Sequence, residues 1–144
     1  SPCPSGTGMV AWTKGLYDHG AKGYFDAYAL HLYDDPQERG DWNVWDWAFV
    51  EAENVRGVLD ANGDRAKPIW SSENGARPEG YSMERRVEVI RNQILAVKNQ
   101  RFPLAAATHY TLQDDDLAGF GLLDASNVRR PTWYAYRDAA ASGS

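Results

Sequence analysis

The chain has 144 residues, 43% of them apolar and 24% charged, which is enough for one globular domain with its own core. A formal net charge of −5 without a basic stripe argues against a polyanionic partner such as nucleic acid. No apolar run reaches the length of a membrane span, and the single cysteine, Cys3, excludes an intrachain disulfide and a thiolate metal site.

In chain order, residues 1–8 read as a loop from their Pro, Gly and Ser content. Met9 to Asp18 carries Met9, Trp12, Leu16 and Tyr17 near helical spacing, and Gly20 and Gly23 supply the stop. Phe25 to Tyr33 is apolar and aromatic with little alternation, as expected of a parallel strand covered on both faces. A charged loop, Asp34 to Asp41, leads to a helix predicted over Trp42 to Asp60, with Val44, Trp47, Val50, Val55, Val58 and Leu59 on one side. Asn62-Gly63-Asp64 ends it. Lys67 to Glu73 is a second strand, and a Gly- and Pro-containing loop follows to Tyr81. Ser82 can cap the next helix, although Arg85 three residues on rules out a capping box. Met83, Val87, Ile90, Ile94 and Val97 form its apolar stripe, with Arg85, Arg86, Arg91 and Lys98 read as the solvated face. Phe102 to Leu112 is a third strand despite the weak strand propensity of Ala105-Ala106-Ala107. Gln113 to Val128 is a long acidic loop, and Pro131 opens a last helix running to about Ala140. The domain is therefore expected over residues 9–141, with a tail at 142–144.

Alternating helices and strands imply βαβ units and a parallel sheet. Six Trp and eight Tyr make the chain rich in aromatics. Core packing uses many of these; sugar recognition uses others, because ring faces stack on the C–H faces of pyranoses. Composition does not separate the two uses.

Three segments carry a resemblance. Gly20 to Tyr33, closing in His31-Leu32-Tyr33, resembles the sixth strand of clan A glycoside hydrolases. Lys67-Pro68-Ile69-Trp70-Ser71-Ser72-Glu73-Asn74-Gly75 is similar to their seventh strand, which ends in the nucleophile. Thr108-His109-Tyr110-Thr111-Leu112-Gln113-Asp114 is similar to the eighth, and Gly121 to Asp124 with Arg130 to Tyr136 resembles the closing helix region. The resemblance implies an α/β fold that is part of a (β/α)8 barrel, comprising its sixth to eighth strands with flanking helices. A whole barrel needs about 250 residues.

By the same resemblance, Glu73 is the nucleophile of a retaining β-glycosidase and Tyr33 the hydroxyl that holds its carboxylate. His31, Trp70, Asn74, His109, Tyr110 and Asp114 are candidate substrate-binding residues. At the position of His109 the family commonly carries Trp, so Trp70 or Tyr110 is expected to take the stacking role or the subsite is altered. Arg77 and Glu79 lie on the loop after Glu73 and could line the cleft. The acid/base Glu of the family follows an Asn, and no Asn-Glu pair occurs in these residues. No metal or organic cofactor is expected, because two carboxyl groups suffice. Asp114, Asp115 and Asp116 lack the alternation of a Ca2+ loop and read as a solvated acidic segment.

The expected partners are a carbohydrate substrate and either the remaining barrel strands or another copy of the chain, since an isolated three-stranded piece leaves two unpaired edges. Rival expectations are a catalytically incomplete barrel piece that self-associates and a non-catalytic carbohydrate-binding fragment. A first residue other than Met reads as a processed or partial product. Localisation is not legible in the residues; the family resemblance alone allows secretion.

Overall fold

A computed structural model describes residues 8–34, 44–76, 78–100, 103–114 and 119–142. Cys3, Arg77, Phe102, Asp115, Asp116 and most of the loop expected over 34–41 lie outside the described residues. The elements are α1 (Met9–Asp18), β1 (Tyr28–Asp34), α2 (Val44–Ala61), β2 (Ile69–Ala76), α3 (Met83–Lys98), β3 (Ala106–His109) and α4 (Pro131–Ala141). The three strands form one parallel sheet in the order β1-β2-β3, so β2 is central and β1 and β3 are its edges. No helix among the described residues is long and apolar enough to cross a membrane.

Helix ends follow their local chemistry. Ser82 caps α3 by accepting the Arg85 amide at 3.3 Å. Pro131 occupies the first turn of α4, where a missing N–H costs nothing. The strands depart more from expectation. β1 starts at Tyr28, after turns in the Gly20–Phe25 segment, and β3 is only four residues long.

The core lies between the sheet and its helices. Leu30, Leu32 and Tyr28 of β1 and Ile69 of β2 meet Ala52, Val55 and Leu59 of α2. The opposite face of β1 is open, with Ala29 and His31 exposed. The expectation of cover on both faces is thus met on one face only, because all the helices pack on the same side of a sheet too narrow to curl closed. Helix α1 turns Thr13 inward and leaves Trp12 60% exposed. Thr13 is tolerated there because its hydroxyl bonds the Met9 carbonyl at 2.6 Å and the Tyr28 hydroxyl at 2.8 Å.

Helix α3 buries two stripes rather than one. Arg86, Val89, Ile90, Gln93 and Ala96 are its buried residues, while Val87, Ile94 and Val97 border α4. Arg86, read from sequence as solvated, is 5% exposed and donates to the Gly119 carbonyl. A single helical period cannot reveal two contact faces when one of them uses polar side chains.

Candidate active site

Strand alternation sets the candidate site, and one irregularity redirects it. Along β1, Tyr28, Leu30 and Leu32 point to the helices, so His31 and Tyr33 point to the open face. Along β2, Ile69 and Ser71 are buried and Trp70 is 48% exposed. Strict alternation would then send Glu73 to the helix side. The pairing shifts instead: Leu30 faces Ser71, but His31 faces Glu73. Ser72 is the extra residue of a β-bulge, and a one-residue insertion flips every later side chain to the other face. Glu73 is thereby placed beside His31 and Tyr33. The two serines serve the bulge: Ser71 Oγ donates to the Glu73 carbonyl at 3.1 Å, and Ser72 Oγ reaches the Leu30 carbonyl at 3.5 Å.

The Glu73 carboxylate is held at one oxygen. Oε2 accepts the Tyr33 hydroxyl at 2.7 Å and lies 3.3 Å from His31 Nδ1. Among the described residues these contacts leave Oε1 uncommitted. The Glu73 side chain is 35% exposed and that of His31 59%, so the group faces solvent from the middle and C-terminal part of the strands; β2 runs on past Glu73 to Ala76. Tyr33 is fixed by an edge-to-face triangle of rings. Its centroid is 6.4 Å from Tyr110 and 5.9 Å from Phe120, and those two are 6.0 Å apart. Gly75 permits this closeness, because a Cβ there would meet the Tyr110 carbonyl at 3.0 Å.

The other candidates go elsewhere. Trp70 shares the open face, further toward the start of β2. Asn74 is 5% exposed and ties β2 to β3 by donating to the Thr108 carbonyl at 3.0 Å. His109 pairs with Asn74 and lies two residues beyond Ala107, the partner of buried Ser71, so it takes the helix side. Its ring sits 6.0 Å from Tyr136 of α4, not beside Glu73. Burial lowers its pKa to about 4, against a hydrogen bond with the Phe120 backbone that raises it.

Asp114 clamps the loop before α4. It accepts the Gly121 amide at 2.6 Å and pairs with Arg130 at 2.5 Å. Burial pushes its pKa up, but the Gly121 and Gly119 amides and the Arg130 guanidinium outweigh burial and hold the carboxyl below its usual range. A side chain at Gly121 would strike the Asp114 backbone and the Leu123 carbonyl, so this turn requires glycine.

Phe120 is the site residue that sequence reading missed. Its signal was an aromatic between Gly119 and Gly121, inside a segment classed as loop.

No family model matches the sequence, and no curated protein matches it. A solved structure does match: the crystal structure of a monomeric beta-xylosidase from Caulobacter crescentus CB15, with a TM-score of 0.68 and 18% identity over 94% of this chain and 32% of that one. The chain has the fold of part of that protein. It spans about a third of that protein's length. At this identity the likeness is one of fold: a mixed α/β arrangement of three parallel strands and their helices.

Proposed function

We propose that the chain is part of a retaining β-glycoside hydrolase built on a (β/α)8 barrel, with Glu73 as its nucleophile. The observation that carries this reading is the 2.7 Å hydrogen bond from Tyr33 to Glu73, in the C-terminal halves of two parallel strands, on the side of the sheet where barrel active sites lie. A carboxylate held at one oxygen keeps a lone pair on the other for attack on an anomeric carbon. The xylosidase likeness adds support at the level of fold, and the quoted strand motifs add support at the level of residues. The substrate class is a β-linked glucan, xylan, mannan or smaller glycoside.

Retention needs a second carboxyl group about 5–5.5 Å away to protonate the leaving oxygen and then activate water. Among the described residues, the partners of the Glu73 carboxylate are Tyr33 and His31. The acid/base group belongs, in this reading, to barrel strands supplied from outside these residues. The chain alone is then expected to turn over aryl β-glycosides poorly.

Covalent labelling tests the nucleophile separately from the acid. A 2-deoxy-2-fluoroglycosyl fluoride carries a leaving group that departs without protonation. Incubation followed by peptide mass spectrometry is expected to place the glycosyl adduct on Glu73 and to find none in Glu73→Gln. An adduct on another residue, or no adduct with any β-configured sugar, sinks the assignment.

A second reading is a partial barrel that associates with copies of itself. It is favoured by the open sheet face, where Trp70 is 48% exposed, and by the outer edges of β1 and β3. Sedimentation equilibrium is expected to give more than a monomer mass under this reading, and a concentration-independent monomer removes it.

A further inference from the structure

On the helix side of the sheet, away from Glu73, β2, β3, α3 and α4 line a partly open cavity of about 220 Å3. Ile94, Val97, Ala107, Ala140 and the Tyr136 ring give it mostly apolar walls. Four polar side chains also line it: Gln93, 3% exposed, Asn74, His109 and Lys98. Two of them carry buried atoms without a hydrogen-bond partner, Gln93 Oε1 and His109 Nε2. Buried polar atoms are normally satisfied, and a missing partner costs about 1–3 kcal/mol each.

The identity of these atoms is constrained. Gln93 directs its Nε2 to the Gly75 carbonyl at 3.5 Å, so the atom left without a partner is the acceptor oxygen. The imidazole bonds the Phe120 backbone in a sense that raises its pKa, so the ring donates there through Nδ1. With its pKa lowered to about 4, the ring is neutral at pH 7 and Nε2 presents a lone pair. The nearby Lys98 amine is committed to the carbonyls of Ala139 and Ala140 at the end of α4. The cavity therefore offers two acceptors, one ammonium already committed to carbonyls, and mostly apolar walls.

We propose that this cavity is a binding site for a small uncharged molecule with an apolar ring and a hydroxyl donor. The hydroxyl would bond Gln93 Oε1, and the ring would fill the space between Ile94, Val97 and Tyr136. A cavity of 150 Å3 accepts benzene, so the size suffices for one such ring. The site is independent of Glu73, and its test does not depend on the glycosidase reading.

Phenol is the probe. Titrated into the whole chain at pH 7 and followed by 1H–15N and aromatic 1H–13C correlation spectra, it is expected to give saturable shifts at Gln93, His109 and Tyr136. Intermolecular NOEs are expected from its ring protons to Ile94 and Val97. Gln93→Met keeps the volume and removes the acceptor, and is expected to weaken binding about fivefold to tenfold, the value of one net hydrogen bond. Ala107→Phe fills the space and should abolish binding. Should that variant not fold, the NOEs to Ile94 and Val97 in the wild type decide the location. Non-saturable shifts, as expected if only water occupies the cavity, overturn the proposal. So do NOEs elsewhere on the molecule, or affinity unchanged in Gln93→Met.

Discussion

Glu73 and Tyr33 are 40 residues apart in sequence, yet their 2.7 Å bond is the contact that organises the open face. Tyr33→Phe leaves the ring triangle with Tyr110 and Phe120 intact and removes only the hydroxyl. A hydrogen bond to a charged group is worth about 1.5–3 kcal/mol, so the rate of Glu73 labelling is expected to fall about tenfold to a hundredfold with little change in stability. A stopped-time labelling series on the two proteins measures this.

His109 acts on stability instead. Its pKa is lowered to about 4 when folded, so between that value and the ordinary value near 6.5 the unfolded chain binds the proton first. Stability is therefore expected to fall, by up to about 3 kcal/mol, as pH drops through that window. Asp114 has a lowered pKa, so its contribution is present above the ordinary carboxylate range and is lost only at lower pH. Urea melts at a series of pH values should show the upper step in the wild type and not in His109→Gln. A single step below pH 4 in both would refute the His109 assignment.

Among the elements, β2 decides most. Glu73 and His109 were both legible as strand-end residues, and the resemblance assigned both to the mouth. Which face Glu73 takes depends on Ser72, and a bulge leaves little mark in a run such as Trp70-Ser71-Ser72-Glu73; His109 follows Ala107 to the helix side by alternation along β3. Deleting Ser72 is expected to return Glu73 to the helix side and Asn74 to the open face. The cost should be at least about 3 kcal/mol, because a carboxylate would be buried without a partner and the Asn74 bond to Thr108 would be lost. Chemical denaturation together with loss of Glu73 labelling reads this out; a deletion variant that is equally stable and still labelled would dismiss the bulge as a cause.

The helices were easier to read, since their ends are local. Gly20, Ser82 and Pro131 mark boundaries through backbone preferences that need no tertiary partner. Their buried faces were harder: Thr13, Arg86 and Gln93 are inside because particular carbonyls and hydroxyls receive them, which no apolar periodicity encodes.

For the whole molecule, the central fact is a sheet with helices on one side and solvent on the other. Trp70 is the largest exposed side chain on that open face, near the start of the central strand. If the face is covered by a second copy, Trp70→Glu should shift sedimentation toward monomer while thermal unfolding of the helix-side core stays within a few degrees, because the position contributes nothing to that core. Unchanged association in Trp70→Glu would move the contact away from this face, to the strand edges.

By itself the sequence determined the element types, their order and the parallel α/β class, because propensity, capping and turn chemistry act over a few residues. It also carried the motif in which Glu73 stands. Only the tertiary structure decided which side chains meet. The bulge at Ser72 brings Glu73 to Tyr33 and His31, the register of β3 on β2 sets His109 toward Tyr136, and the fold of the 119–121 turn completes the ring cluster with Phe120. Those outcomes depend on strand register and on polar atoms finding partners far along the chain, and neither quantity has a local signature.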